Sequence, residues 1–494
     1  MASSLMLVAF FLPLALAVVI RACDRVPNLR DGMTMVFASA TFACVAMMLP
    51  EVLAGGAPSA TLALPFDGLS IGFRVEPLGM LFALVASGLW IPTSLYAFGY
   101  MRGHHEENQT RFFMCFALAI FAALGIAFSA NLLTLFLFYE LLTFSTWPLV
   151  THHQTEEARS AGRVYLGVLV FTSVTFLLLG IVWTYVLTGT LDFENGGILA
   201  GNVEPWMVPI LLGLFAFGTG KAALMPFHRW LPNAMVAPTP VSALLHAVAV
   251  VKAGVFTVLK VVVYVFGIDL LQATDASDWL KWVAAFTIVA ASVIAITQDN
   301  LKARLAYSTI SQLAYIVLGA ALATSASVIG GGLHIAMHAV GKITLFFVAG
   351  TIMVHAHKKK VSELDGLGRR MPFTFAAFFV GSLSIIGLPP TGGSWSKWFL
   401  ALGATGSEGD WVFVGVLMLS SLLSIAYLMP VVARGFFLPE KPDPHHAHRG
   451  AGVDEGPLLC VGPLVVTALG CLAMFFLAED VYALLQPMVH GGVP

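Results

Sequence analysis

Apolar runs of about 20 residues, the length that crosses a bilayer as a helix, follow one another along nearly the whole chain. Short polar, glycine or proline breaks separate them. Divided at those breaks, the pattern predicts about fourteen membrane-spanning helices. They cover residues 4–22, 32–52, 77–99, 112–130, 131–151, 161–189, 206–227, 240–264, 280–297, 301–323, 327–355, 372–402, 411–435 and 457–478. Residues 59–75 alternate around a Pro-Phe-Asp-Gly turn and read as an extra-membrane β-hairpin. The first run lacks a charged leader and a small-residue cleavage site, so it reads as a retained helix.

Composition agrees with that frame: 58% of the 494 residues are hydrophobic and 11% charged, and mean hydropathy is +0.88. Soluble domains carry about 25% charge. The positive charges are more informative than the net charge of -2. Of 25 Lys and Arg, 18 fall in loops on one predicted side, from Arg21 and Arg25 through Arg102, Lys302 and Lys358 to Arg434 and Arg449. The other side receives Arg74 and Lys281. The positive-inside rule makes the rich side cytoplasmic and places both termini outside, which requires an even number of spans. A multi-pass protein of a bacterial inner membrane is expected.

Two predicted helices are interrupted by proline. In LFAFGTGKAALMPFHRWLP, Lys221 precedes Pro226; in GSLSIIGLPPTGGSWSKWFL, Pro389-Pro390 and Gly392-Gly393 precede Lys397. Breaks at corresponding places in two halves mark inverted-repeat transporters. Helices 4–8 and 9–13 would be the two five-helix units, with helices 7 and 12 discontinuous, and an odd number of helices per unit inverts the second. The organisation expected is helices 1–3 with the hairpin (1–110), a first repeat (111–264), a second repeat (280–435), and a cytoplasmic loop with a last helix (436–494). The fold class is an all-α membrane protein.

Ionisable groups inside the apolar runs are the candidate chemistry, because each costs roughly 2.5–3.5 kcal/mol to insert at mid-helix. Glu140 is either a protonated, hydrogen-bonded carboxyl or a charged one beside a cation such as Lys221. Lys221, next to a break that water can reach, is suited to load and release a proton. Lys252 sits midway along its helix; His246 reads equally as a proton carrier or a packing histidine. Lys260, nearer the outer end, reads as a lysine snorkelling to the interface. His334, His338 and Lys342 recur at i, i+4 and i+8 along about 12 Å of helix. That stripe fits a proton relay, a hydrogen-bonded packing face or, less well for want of further ligands, a metal site. Lys397 mirrors Lys221 and would be the relay's outer end. His104, His105, Glu106 and Glu107 read as solvated loop residues. Five scattered cysteines read as packing residues, and neither a phosphate-binding loop, a nucleophile elbow nor a zinc-protease motif occurs. No cofactor, metal or nucleic acid is expected.

Several stretches are similar to one known superfamily. YELLTFSTWPLV around Glu140, GKAALMPFHRWLPNAMVAPTPVSALLHA, DNLKARLAYSTISQLAY, HAVGKITLFF and GLPPTGGSWSKW resemble the antiporter-like subunits shared by respiratory complex I and the Mrp cation/proton antiporters. The resemblance runs from about residue 75 to 435. It implies fourteen helices, a half-channel in each inverted repeat and a hydrophilic axis at midplane. The family's helix-5 glutamate falls on Glu140, its helix-7 and helix-8 lysines on Lys221 and Lys252, its helix-11 histidines on His334 and His338, and its helix-12 charge on Lys397. Lysine at 397, VKAG at 251–254, the length, and the lack of room for a C-terminal arm are most similar to the D-type subunits of Mrp antiporters. Asn233 departs from the aspartate more usual there. The resemblance implies a proton-translocating protein working with other membrane subunits, the lipid bilayer, protons and Na⁺. Membership of a redox-driven complex I-like or hydrogenase assembly, and an inert membrane scaffold, are the alternatives.

Overall fold

The computed structural model describes residues 2–66, 68–244, 248–406, 409–440 and 452–489. His246 lies outside the described residues. Eleven of the predicted segments are helices long and apolar enough to cross a membrane. They are α1 (Ala2–Ala22), α2 (Pro27–Leu53), α3 (Pro77–Gly103), α4 (Gln109–Ala127), α5 (Leu132–Val150), α6 (Glu156–Thr188), α10 (Asp278–Thr297), α11 (Leu301–Leu322), α12 (Ser325–Ala356), α15 (Trp411–Phe437) and α16 (Leu458–Phe476). The other three predicted segments are interrupted. α7 (Pro205–Gly218) stops well before Pro226, and α8 (Val250–Phe266) is preceded by one helical turn at Thr239–Ala243. The segment 372–402 splits into α13 (Pro372–Ile386) and α14 (Gly393–Ala404). A short α9 (Ile268–Thr274) turns 79° away from the end of α8.

Local chemistry sets several boundaries. Asn131, Thr155 and Asn300 each accept a backbone N–H of the first helical turn, at α5, α6 and α11, and Thr324 with Ser327 forms a capping box on α12. The predicted hairpin is present: β1 (Ser59–Phe66) pairs antiparallel with β2 (Leu69–Arg74), Ser59 opposite Arg74. Its second strand is stitched to the start of α5 by Asn131 Nδ2 donating to the Ser70 carbonyl and the Gly72 N–H donating to Thr134 Oγ1.

Burial orders the bundle. The most apolar windows of α11 and α12 are each 94% buried, against 28% for α2 and 33% for α15 and α16. The apolar side chains that the outer helices leave exposed suit a hydrocarbon surround or neighbouring subunits. Hence the two central helices are those carrying the His334/His338/Lys342 stripe and the hydroxyls facing it.

Candidate buried charge axis

Lys221 sits inside the first break, in a tight turn (Gly220–Ala222) between α7 and the rest of its segment. Its Nζ donates to the Tyr139 carbonyl at 2.7 Å and to Thr143 Oγ1 at 2.6 Å, and lies over the Tyr139 ring. The Tyr139 hydroxyl accepts the Lys221 backbone N–H at 3.1 Å. The turn closes where Trp230 Nε1 donates to the Gly220 carbonyl. α8 presses directly on this turn: a Cβ at Gly254 would stand 2.3 Å from the Ala222 nitrogen. Only glycine allows that approach.

The Glu140–Lys221 ion pair expected from the sequence is not formed. Glu140 is close enough for its charge to be felt at Lys221, but Lys221 takes its oxygens from Tyr139 and Thr143, on the adjoining face of α5. Glu140 is half-buried, and its Oε1 has no hydrogen-bond partner among the described residues. It shares a helix face with the exposed Leu137, Phe144 and Trp147, but its Oε1 is itself buried.

Lys252 and His338 meet across the boundary between the proposed repeats, with Nζ and Nδ1 2.6 Å apart and both residues buried. His338 stacks on His334 at 5.6 Å, and His334 on Tyr315 at 5.5 Å. His334 Nδ1 lies 2.9 Å from Ser396 Oγ, the residue before Lys397. The Nε2 of His334 has no hydrogen-bond partner among the described residues, a position that ordinarily belongs to water. Lys342 departs from the stripe: its Nζ turns to Ser308 Oγ at 2.6 Å and the Leu305 carbonyl at 3.3 Å, both on α11.

Lys397 lies on α14, past the second break, yet reaches back across it. Nζ donates to the Ile386 carbonyl at 2.9 Å, a free carbonyl at the end of α13, and to Ser421 Oγ at 3.0 Å on α15. Between them the chain turns at Gly387 (φ +90°), where a Cβ would stand 2.6 Å from Lys397 Cδ.

Sequence reasoning missed the hydroxyls. Ser420, Ser424 and Tyr427 recur at helical spacing on α15, and that stripe was visible in SSLLSIAY. Ser420 lies 3.1 Å from Ser292 and 3.2 Å from Ser311, and the Tyr427 hydroxyl lies 2.8 Å from Ser308, which holds Lys342. Lys260 was also misread. It is fully buried, ion-paired with Glu76, and its Nζ donates to the Ser129 carbonyl at 2.7 Å. Its four-carbon stem ends not at an interface but against the start of α3 and the end of α4. Among the described residues no cluster of three or more His, Cys, Asp or Glu is placed to hold a metal.

The chain matches two family models. NADH:quinone oxidoreductase/Mrp antiporter, TM, covers residues 129–424, and the N-terminal model of NADH-ubiquinone oxidoreductase (complex I) chain 5 covers residues 65–113. It is 33% identical to NADH-quinone oxidoreductase subunit N of Desulforudis audaxviator, over 97% of both chains. It is 30% identical to the A-type subunit of the Na(+)/H(+) antiporter of Alkalihalophilus pseudofirmus, over 87% of this chain and 55% of that one. Several relatives, that one among them, are about twice the length matched. Two solved structures superimpose over nearly the whole chain with TM-score 0.84. One is the Mrp complex of Dietzia sp. (20% identity, 99% of this chain and 98% of that one). The other is the membrane-bound sulfane sulfur reductase, an archaeal respiratory membrane complex (24% identity, 98% and 96%). The chain belongs to the antiporter-like membrane subunits of the NADH:quinone oxidoreductase/Mrp antiporter family.

Proposed function

We propose that this family member is the proton-translocating membrane subunit of a multisubunit Na⁺/proton antiporter, similar to the D-type subunits of Mrp complexes. Ten of its fourteen crossings form two inverted five-helix repeats in a bacterial inner membrane, with the basic end cytoplasmic and both termini outside. One observation carries the reading: the buried contact sequence Lys252, His338, His334, Ser396, which runs across the repeat boundary and ends beside Lys397. A buried lysine and two histidines in contact can exchange one proton without a full charge ever being left unsolvated. Lys221 is the entry terminal and Lys397 the exit terminal. Glu140 modulates Lys221 at a distance.

The strong match to an NADH-quinone oxidoreductase subunit N over both full lengths favours a second reading, in which the same relay is driven by a redox arm in partner subunits. One experiment separates the two. The intact complex in vesicles is assayed for proton movement driven by a Na⁺ gradient and, separately, by NADH and quinone. Antiport predicts Na⁺-dependent movement that Lys252→Ala reduces by about a hundredfold, the low end of what a positioned acid–base group supplies. NADH-driven movement without Na⁺ dependence would move the chain to the second reading. Unchanged flux in Lys252→Ala would leave only a scaffold.

A further inference from the structure

At the basic end, loops that the sequence presents as solvated fold into a cluster. The Glu106 side chain is only 7% exposed. Around its oxygens stand His104 Nδ1 at 3.1 Å, His153 Nδ1 at 3.5 Å and His152 Nε2 at 3.8 Å. These groups come from the loop after α3 and the loop after α5, which share no hydrophobic pattern. A carboxylate so buried is stable only among donors, and the histidines surround it.

Beside this cluster opens a cavity of about 1120 Å³, walled by both proposed repeats. His104, His153, Asn233, Lys302, His357 and Lys359 are among its lining residues. It has room for a chain of waters. Lys302 Nζ is tied to the Ala237 carbonyl at 2.6 Å. Along α11 from Lys302, Leu305 and Ser308 follow at successive turns, about 4.5 and 9 Å further in. These two residues hold Lys342. α11 therefore leads from the cavity wall to the oxygens that hold Lys342, with Ser308 about 120° around the helix from Lys302.

We propose that this cavity is a second proton-loading mouth of the relay, besides the entry at Lys221. In it the Glu106–histidine cluster takes protons up, and Lys302 with the Ser308 hydroxyl connects it to Lys342. The proposal rests on the proton-relay reading above. A proton leaves a hydronium or buffer acid for an imidazole nitrogen of His104 or His153, giving an imidazolium beside the Glu106 carboxylate. It then leaves through cavity water towards Lys302, which restores the neutral ring. The surroundings favour quick release. Burial, then the neighbouring His153 and Arg111, hold His152 down to about 4. Burial also lowers His153, helped by Lys302, His104 and Lys359 and opposed by Glu106. Glu107 adjoins His152, Arg111 donates to the His152 carbonyl, and Glu156, Glu157 and Lys358 complete the charged rim. Asn233 adds a polar wall without a charge.

The test uses the intact complex in proteoliposomes, with flux followed from about pH 5 to about 8, the range over which histidine changes charge. Glu106→Gln, and separately the double variant His104→Asn/His153→Asn, should lower flux about tenfold at the alkaline end, the low end of what charge focusing in a cleft supplies. At the acid end, where protons are plentiful, flux should be near normal, and Glu106→Asp should restore it throughout. An unmoved pH profile overturns the proposal. So does an equal loss at every pH in assembled complex, because that reports packing alone. The double variant decides the matter if Glu106→Gln fails to assemble. Lys252→Ala in parallel keeps the readings apart: if it retains full flux, the relay fails whatever the mouth does.

Discussion

The two halves hold their lysines by the same chemistry on differently built backbones. In the first, Lys221 lies inside the unwound turn and reaches a carbonyl and a hydroxyl four residues apart on intact α5. In the second, the same kind of grip, a carbonyl and a hydroxyl three residues apart on α11, holds Lys342, which comes from an unbroken helix. Lys397, the residue at the second break, uses instead the free end of α13 and a serine of α15. The break and the grip, joined in Lys221, are divided between two residues in the other half. What the proposed inversion would reproduce is therefore the supply of oxygens to a buried lysine. It does not reproduce a residue-for-residue mirror, and the sequence correspondence of Lys221 with Lys397 captures only part of the relation.

If the two grips are equivalent, removing either hydroxyl should have the same consequence. Thr143→Val and Ser308→Ala each delete one hydrogen bond to an ammonium, worth about 1.5–3 kcal/mol, or roughly tenfold to a hundredfold. Proton flux through the intact complex should fall by a similar factor in both. A large loss in Thr143→Val with none in Ser308→Ala would show that only the break-borne lysine carries protons. In that case Lys342 would be a structural charge.

The elements of this comparison were unequally legible. Runs of apolar residues gave the spans, because in a membrane every long apolar run must become a helix. The proline and glycine clusters gave the breaks, and the misplaced charges gave Lys221, Lys252, the histidines and Lys397. Partner choice was hidden. Glu140 and Tyr139 are neighbours in the chain, and a turn of about 100° decides which of them faces Lys221. Opposite charge suggested the carboxylate; the helix face presented the carbonyl and Thr143. The Lys252–His338 contact joins helices that no local pattern relates. Glu106 was lost for a different reason: loop polarity says nothing about whether two loops meet.

A second comparison lies in the ion pairs that close the two proposed repeats. Lys260, late in α8, is wholly buried with Glu76, whose side chain is 7% exposed. Arg434, late in α15, pairs with Asp365 at 2.8 Å; Asp365 is 6% exposed, but Arg434 is 31% exposed and keeps part of its hydration. Breaking a wholly buried pair leaves one charge stranded, at about 3–5 kcal/mol, whereas a cation that water still reaches is stranded at a smaller cost, between that and the roughly 1 kcal/mol of an exposed pair. Glu76→Gln should therefore lower the denaturation midpoint of the purified protein much more than Asp365→Asn. The apolar double variant Lys260→Met/Glu76→Leu should recover most of the loss. Equal shifts in the two single variants would mean that the Lys260–Glu76 pair is hydrated in the bilayer and no more buried in effect than Arg434–Asp365.

The smallest expected effect concerns pH, and it contrasts the loops with the bundle. His152, just past the end of α5, is held down to about 4 from an ordinary 6.5, so folding favours its neutral ring. Between those values the unfolded chain binds the proton more tightly than the folded one, and stability then rises with pH. The His152 contribution is complete above about 6.5, declines as the pH falls towards about 4, and changes no further below that. Unfolding midpoints of the purified protein across this window should slope downwards with acid, and His152→Asn should flatten part of that slope. Other ionisable groups share the acid range, so the informative quantity is the difference between the two proteins at each pH. A difference that stays the same from above 6.5 down to about 4 would assign the effect to packing of the ring against Phe112 and leave its titration without a part.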